Sequence, residues 1–398
     1  MKAALFLLTW VWITLSITLT SAQTPTERLE AYLLSLQQMP VDSVKKLDLR
    51  NMRLKSLPAD LLRFSAIEEI YLDGNLFEAI PAELRHYKQL HTLSMNENLL
   101  HGTKLQLRAL KQLKRFSASK NKFYQDLKLI AKPGLKEVRL SQNQLAEFAY
   151  KSRGLKELEL AYNRIEAVKQ PFWHRHKLEV VVLYGNGLSK LPAGLSQHKN
   201  IRKLVLAINN FEQIPAEMQG FRKLESLMFY KNKLEYFPDF VWDMQQLREI
   251  DVHHNRMKAV PEGIGQLSRL KELYLAHNSI PTLPASIAKL RNLEYLYVEN
   301  NELQMLPTGF DSLISLKRLS LLGNKFIVFP EVVTNLPSLQ EFDISENDIE
   351  AFPQTLILKN DLQLLLLNEN ACTTGMQCMR YLRQMEKQSA NPNLKFQY

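Results

Sequence analysis

Between Leu270 and Leu293 the apolar residues fall at Leu270, Leu273, Leu275, Ile280, Leu283, Ile287 and Leu290, with Asn278 and Pro284 at fixed places among them. The set recurs 23 positions later as Leu293, Leu296, Val298, Leu303, Leu306, Phe310 and Leu313, with Asn301 and Pro307. It also occurs 23 positions earlier, from Leu247 through Asn255 and Pro261 to Leu267. A fixed period of this size marks one supersecondary unit stacked many times. Leu273 and Leu275 alternate with Tyr274 and Ala276, the period of a short strand with one buried face. Asn278 then turns the chain, and its amide can bond backbone groups that would otherwise be buried and unpaired. Ile280 and Leu283 point back inward, Pro284 sets the backbone for a helical or 3₁₀ segment, and Ile287, Leu290 and Leu293 return at helix-like spacing. One coil cannot bury its apolar side alone; stacked coils can.

The turn position is Met52 in the first unit, then Asn75, Asn98, Asn121, Asn143, Asn163, Asn186, Asn209, Asn232, Asn255, Asn278, Asn301, Asn324, Asn347 and Asn370. The pattern therefore predicts about fifteen repeats over residues 44–371. Spacing is 23 throughout except 22 from Asn121 to Asn143 and 20 from Asn143 to Asn163. The proline, present in ten units from Pro58 to Pro353, is missing from units three to six. That break reads either as drift in a tolerant part of the array or as a modified surface.

The motif L-x-x-L-x-L-x-x-N-x-L resembles the leucine-rich repeat family. The L-P-x-x-L-x-x-L that follows looks like the repeat type of Ras-group intracellular leucine-rich repeat proteins and of many bacterial ones. The resemblance implies an α/β fold, a curved horseshoe solenoid whose parallel strands line the concave face. Such an array needs its two ends covered, and helical caps are expected at both. Thr24-Pro25-Thr26-Glu27 has capping-box spacing with proline at the first helical position, and Leu29, Tyr32, Leu33 and Leu36 share one face within an N-terminal cap over residues 23–43. At the far end Met379, Leu382 and Met385 mark a helix ending near Gln388 in a cap and short tail over 372–398.

Residues 1–22 read as a secretory signal: Lys2, then an apolar run, then Thr20-Ser21-Ala22 before Gln23. Nothing later is apolar enough to span a membrane, so a secreted or periplasmic protein is expected. The cap around residues 23–43 carries no cysteine, unlike the cysteine-rich caps usual in extracellular animal and plant relatives, and this favours a bacterial source. Cys372 and Cys378, the only cysteines, either form a disulfide or leave Cys372 as a reduced apolar filler.

The net charge of +10 is unevenly spread. Between His101 and Leu140 eleven Lys or Arg face only Asp126 and Glu137. Lys104, Arg108, Lys111, Lys114, Lys120 and Lys122 are the candidate contacts there for an acidic glycan or lipopolysaccharide, with nucleic acid the least favoured polyanion.

The outward strand residues of units seven to twelve include Val182, Tyr184, Val205, Met228, Tyr230, Tyr274 and Tyr297, with His253 and Glu299 as polar neighbours. Apolar and tyrosine side chains on a face open to water have the composition of a binding site for a protein or peptide. Packing of neighbouring strand residues on one another is the alternative. His254 and His277 fall on adjacent strands, yet their spacing matches no metal motif. No G-x-S-x-G, P-loop, H-E-x-x-H, paired C-x-x-C or EF-hand loop occurs. The sequence thus points to a non-enzymatic binding solenoid without metal or cofactor, and a polyanion-binding protein is the competing class.

Overall fold

A computed structural model describes residues 24–398 apart from 133, 151–153, 166–177, 193–194, 359–360, 390 and 392. The leader expected over residues 1–22 lies outside the described residues. Each coil follows the apolar pattern. In the strand Glu272–Tyr274 only Leu273 faces the interior, and Leu275, Ile280, Leu283, Ile287 and Leu290 complete the buried lining of that coil. Each such side chain contributes roughly 1.5–3 kcal/mol by leaving water. Pro284 is extended, at φ −70° and ψ 151°, and the 3₁₀ helix Ala285–Lys289 starts directly after it.

Sixteen strands pair in parallel as one sheet, in chain order, among the described residues. Register is that of the repeat: Leu273 pairs with Ile250 on one side and Leu296 on the other. Fifteen of these strands belong to the repeats, so the array is a curved leucine-lined solenoid with its sheet on one face. The sixteenth, Lys395–Gln397, corrects the expectation of a plain tail. It pairs with Leu364–Leu366 and covers what would otherwise be an open sheet edge. Leu394, Phe396 and Tyr398 pack on the core with the two-residue period of a strand.

Helices cover both ends. Thr24 and Glu27 form a reciprocal capping box at the start of helix Pro25–Gln37, which lays Leu29, Tyr32, Leu33 and Leu36 on the first coil. The Tyr32 hydroxyl accepts from the Asp48 backbone N–H at 3.1 Å, tying the cap to the first strand. At the other end Leu382 and Met385 of helix Met376–Gln388 are buried. A Cys372–Cys378 disulfide links this helix to the last coil. Cys372 is also buried, so filling an apolar site and pairing are not exclusive.

The break in the proline pattern is a change of architecture. On the back of units three to five the strands Lys104–Gln106, Tyr124–Ile130 and Gln144–Tyr150 form a second parallel sheet. Leu105, Leu127, Leu129, Leu145, Phe148 and Tyr150 are its buried side chains. Without proline to open a 3₁₀ turn, a locally alternating sequence such as Leu127-Lys128-Leu129 runs extended instead. The back of unit six falls outside the described residues.

Candidate partner-binding face

The concave face is set by what happens at the turn that ends each strand. Asn278 Nδ2 donates to the carbonyls of Leu275 at 2.8 Å, Val252 at 3.1 Å and Ala276 at 3.2 Å. Its Oδ1 accepts from the Met257 N–H at 2.9 Å, so one side chain joins two coils. Asn301 and Asn324 repeat this set. The residue before each turn asparagine is left-handed, with φ near +50° at Tyr162, Lys231, His254 and His277, and glycine at Gly74, Gly185 and Gly323. This conformation costs an L-residue roughly 1–2 kcal/mol. It brings the side chains of Tyr162 and His254 against Tyr184 and His253 of the outward rows, and His277 against His254.

The two outward rows then lie in register. Val182, Val205, Met228, Asp251, Tyr274 and Tyr297 follow one another across adjacent strands. Two residues further on come Tyr184, Ala207, Tyr230, His253, Ala276 and Glu299. The small Ala207 leaves room for Tyr184 and Tyr230 to meet across it, with ring centroids 5.7 Å apart. Tyr162 packs edge-on against Tyr184 at 4.8 Å, and the two hydroxyls are hydrogen-bonded at 3.0 Å. Tyr230 stacks on His253 at 4.7 Å, His253 touches His254 at 5.2 Å, and His254 stacks on His277 at 4.0 Å. Tyr274 and Tyr297 form a separate stacked pair at 5.2 Å.

These contacts divide the expected site. Val182, Tyr184, Met228, Tyr230, His253, Tyr274, Tyr297 and Glu299 are half-buried, with part of each side chain open to water. Val205 is a correction: it was expected to face water, yet it is only 8% exposed. Val182 and Met228 flank it on the adjoining strands, so at this point the neighbours do cover one another. Tyr162 was missed from the sequence, because its place beside the sheet depends on the left-handed turn rather than on strand alternation.

Polar groups fix the orientation of the rings. His253 Nδ1 lies 2.5 Å from Oδ1 of buried Asp251. The Tyr274 hydroxyl donates to Glu272 Oε2 at 2.7 Å. Burial, and then that hydrogen bond to a carboxylate, push the Tyr274 phenol well above its ordinary range. Burial also raises the Glu299 carboxyl, whose Oε2 is enclosed without a hydrogen-bond partner. The His254 imidazole is lowered by burial and then by the neighbouring His277. Among the described residues no group of three His, Cys, Asp or Glu is placed to hold a metal. The stacked rings of His254 and His277 carry their lone pairs in parallel planes, which does not suit convergence on one ion.

The basic candidates part company. Lys120 is ion-paired with Glu97 at 2.6 Å, and Lys122 leaves the same turn. Lys104 sits on the back sheet beside Lys128. Arg108, Lys111 and Lys114 lie on the flank where the chain returns to the next strand, all exposed.

The family model described as a leucine-rich repeat region matches residues 231–326. No curated protein sequence matches the chain. Among solved structures it is similar to a leucine-rich repeat protein of Leptospira interrogans, with TM-score 0.78 and 24% identity over 92% of this chain and 98% of that one. A chain of the Drosophila Toll–Spätzle complex gives TM-score 0.66 and 19% identity, over 80% of this chain and 46% of that one. The plant peptide hormone receptor RGFR1, solved with RGF2, gives TM-score 0.51 and 20% identity, over 79% of this chain and 61% of that one. Likeness at these identities establishes the fold.

Proposed function

We propose that this chain, a leucine-rich repeat protein, is an exported binding protein that holds a protein or peptide partner on the concave face of units seven to twelve. The observation that carries the reading is the chain of rings Tyr162, Tyr184, Tyr230, His253, His254 and His277, with the Tyr274–Tyr297 pair beside it. Partly open tyrosines already held by one another, by His253 and, at Tyr274, by Glu272 offer large contact area at little further cost in side-chain entropy. Six strands about 4.8 Å apart span roughly 24 Å, wide enough for an extended segment or one face of a small domain. The Toll–Spätzle and RGFR1–RGF2 structures pair similar solenoids with a protein and a peptide ligand, which favours this class of partner. The role is binding rather than catalysis. The observed ring chain and carboxylates supply contact area and orientation, and they require no cofactor or metal for that task.

The test uses a peptide selected against the protein from a phage-displayed random library. Hydroxyl-radical footprinting of the complex should show Tyr230, Tyr274 and Tyr297 protected while Tyr236, exposed outside this face, is oxidised as before. Protection confined to other surfaces would overturn the reading.

A further inference from the structure

The residue just before each strand hydrogen-bonds its counterpart in the next coil, so these positions form a continuous column along one flank. Glu68 N–H donates to Lys45 O, His91 to Glu68, Lys114 to His91, Lys136 to Lys114, Lys156 to Lys136 and Glu179 to Lys156. Beyond it the column continues through Arg202, Glu225, Arg248, Lys271, Glu294 and Lys317.

Charge along this column is largely compensated rung by rung. Lys45 and Glu68 pair at 2.9 Å, Lys156 and Glu179 at 2.7 Å, Arg202 and Glu225 at 3.7 Å. Glu294 is shared by Lys271 and Lys317 at 2.6 and 2.7 Å. Lys114 and Lys136 break the rule. Their adjoining rungs are His91, each other and Lys156, and none of these is a carboxylate. On the same returning flank Arg108, Lys111 and Lys132 add three more exposed cations. None of the five has an ion-pair partner among the described residues. Like charges a strand spacing apart, about 4.8 Å, repel. Arg248 and Lys271 also adjoin, but Glu225 and Glu294 stand on their outer sides, as no carboxylate does for Lys114 and Lys136.

We propose that this flank, Arg108, Lys111, Lys114, Lys132 and Lys136, binds a sulfated glycan chain. A linear polyanion laid along the solenoid axis meets cations from successive coils, and the repulsion between Lys114 and Lys136 is relieved when it binds. A single nucleic-acid strand would also gain from stacking its bases on open rings. Here the adjacent aromatic residues, Tyr87 and Phe116, are buried at 2% and 1% exposure, so the surface offers charge without a stacking platform. The structure thereby narrows the basic stretch: Lys120 and Lys122 leave the opposite end of the strand, and Lys104 faces away on the back sheet. This flank is distinct from the concave sheet, so the two proposals stand or fall separately.

Heparin serves as the probe, with binding measured against salt. Reversal of Arg108, Lys111, Lys114 and Lys136 to Glu should weaken heparin at least tenfold at physiological ionic strength and flatten the salt dependence. The control reverses Lys55, Lys122, Arg164 and Arg256, exposed positions on the other flank, with the same change of net charge. It should retain affinity within about threefold. The same four flank positions changed to Gln give a milder variant should the Glu form fail to fold, and unfolding midpoints are recorded for all. An equal loss in both sets, or undiminished binding by the flank variants, would overturn the assignment. Single-stranded or duplex DNA displacing heparin at lower concentration than a competing sulfated glycan would make nucleic acid the ligand and overturn it too.

Discussion

Tyr274 and Tyr297 lie ring on ring across adjacent strands, 5.2 Å apart and 3° from parallel. The pairing follows from a repeat in perfect register: strand residues 23 positions apart become neighbours a strand spacing from each other. Side chains of like shape therefore stack, and any outward position that carries rings in successive units becomes a rigid aromatic surface. The same geometry turns carboxylates, serines and cations in successive units into ladders, so the surface chemistry of this protein is written in columns.

The turn asparagines make the first prediction. Asn278→Ala removes the acceptor for Met257 N–H and the donor to Val252 O, which join two coils, and each buried backbone group left unpaired costs about 1–3 kcal/mol. Asn200→Ala removes only an exposed acceptor of the Lys223 ammonium. Thermal unfolding should show a clear drop for the first and little for the second. Equal midpoints would contradict the role of the turn amide.

The left-handed position makes the second. Gly323 has φ +64°, and a Cβ there would come within 2.6 Å of Asn300 Oδ1. Lys231 occupies the equivalent place with φ +52° and an exposed side chain. Gly323→Ala should lower the unfolding midpoint, whereas Lys231→Gly should leave it unchanged or raise it, since glycine takes this conformation freely. A loss for Lys231→Gly as large as that for Gly323→Ala would show that strain is not what distinguishes these sites.

How much of this was legible beforehand depends on the range of the signal. Leu273, Asn278 and Pro284 announce coil, turn and 3₁₀ start because each role is local and recurs, the asparagine in fourteen units and the proline in ten. The Leu394–Phe396–Tyr398 alternation was equally legible, yet three residues of strand are too short to stand out from a tail. The ring chain was only half visible. Tyr184 and Tyr230 sit at outward positions, but their contact needs Ala207 between them, and Tyr162 joins only through a left-handed turn that propensity does not forecast. Burial of Val205 depends on the sizes of Val182 and Met228, which alternation alone leaves open. The second sheet was visible only as missing prolines, since absence of a 3₁₀ start does not say what replaces it.

Glu299 gives a prediction in pH. Burial holds its carboxyl above the usual range, so the folded protein keeps this proton at pH values where the unfolded chain has lost it. The charge therefore costs stability above the raised folded value, and the cost disappears below the unfolded value of about 4.3. Glu299→Gln should raise the unfolding midpoint at pH 8 and give no gain near pH 3.5. The same gain at both would mean that the substitution acts through packing instead.

The central claim, a partner seated on the concave rings, is tested most directly by the dissociation constant of the selected peptide for three proteins. These are the wild type, the double variant Tyr230→Ala with Tyr274→Ala, and the control Tyr236→Ala, with unfolding midpoints measured alongside. Truncating hot-spot tyrosines costs about 2 kcal/mol or more. The double variant should therefore bind at least tenfold more weakly, with its midpoint little changed because neither ring belongs to the leucine core, and the control should bind as the wild type does. Wild-type affinity in the double variant would contradict the account.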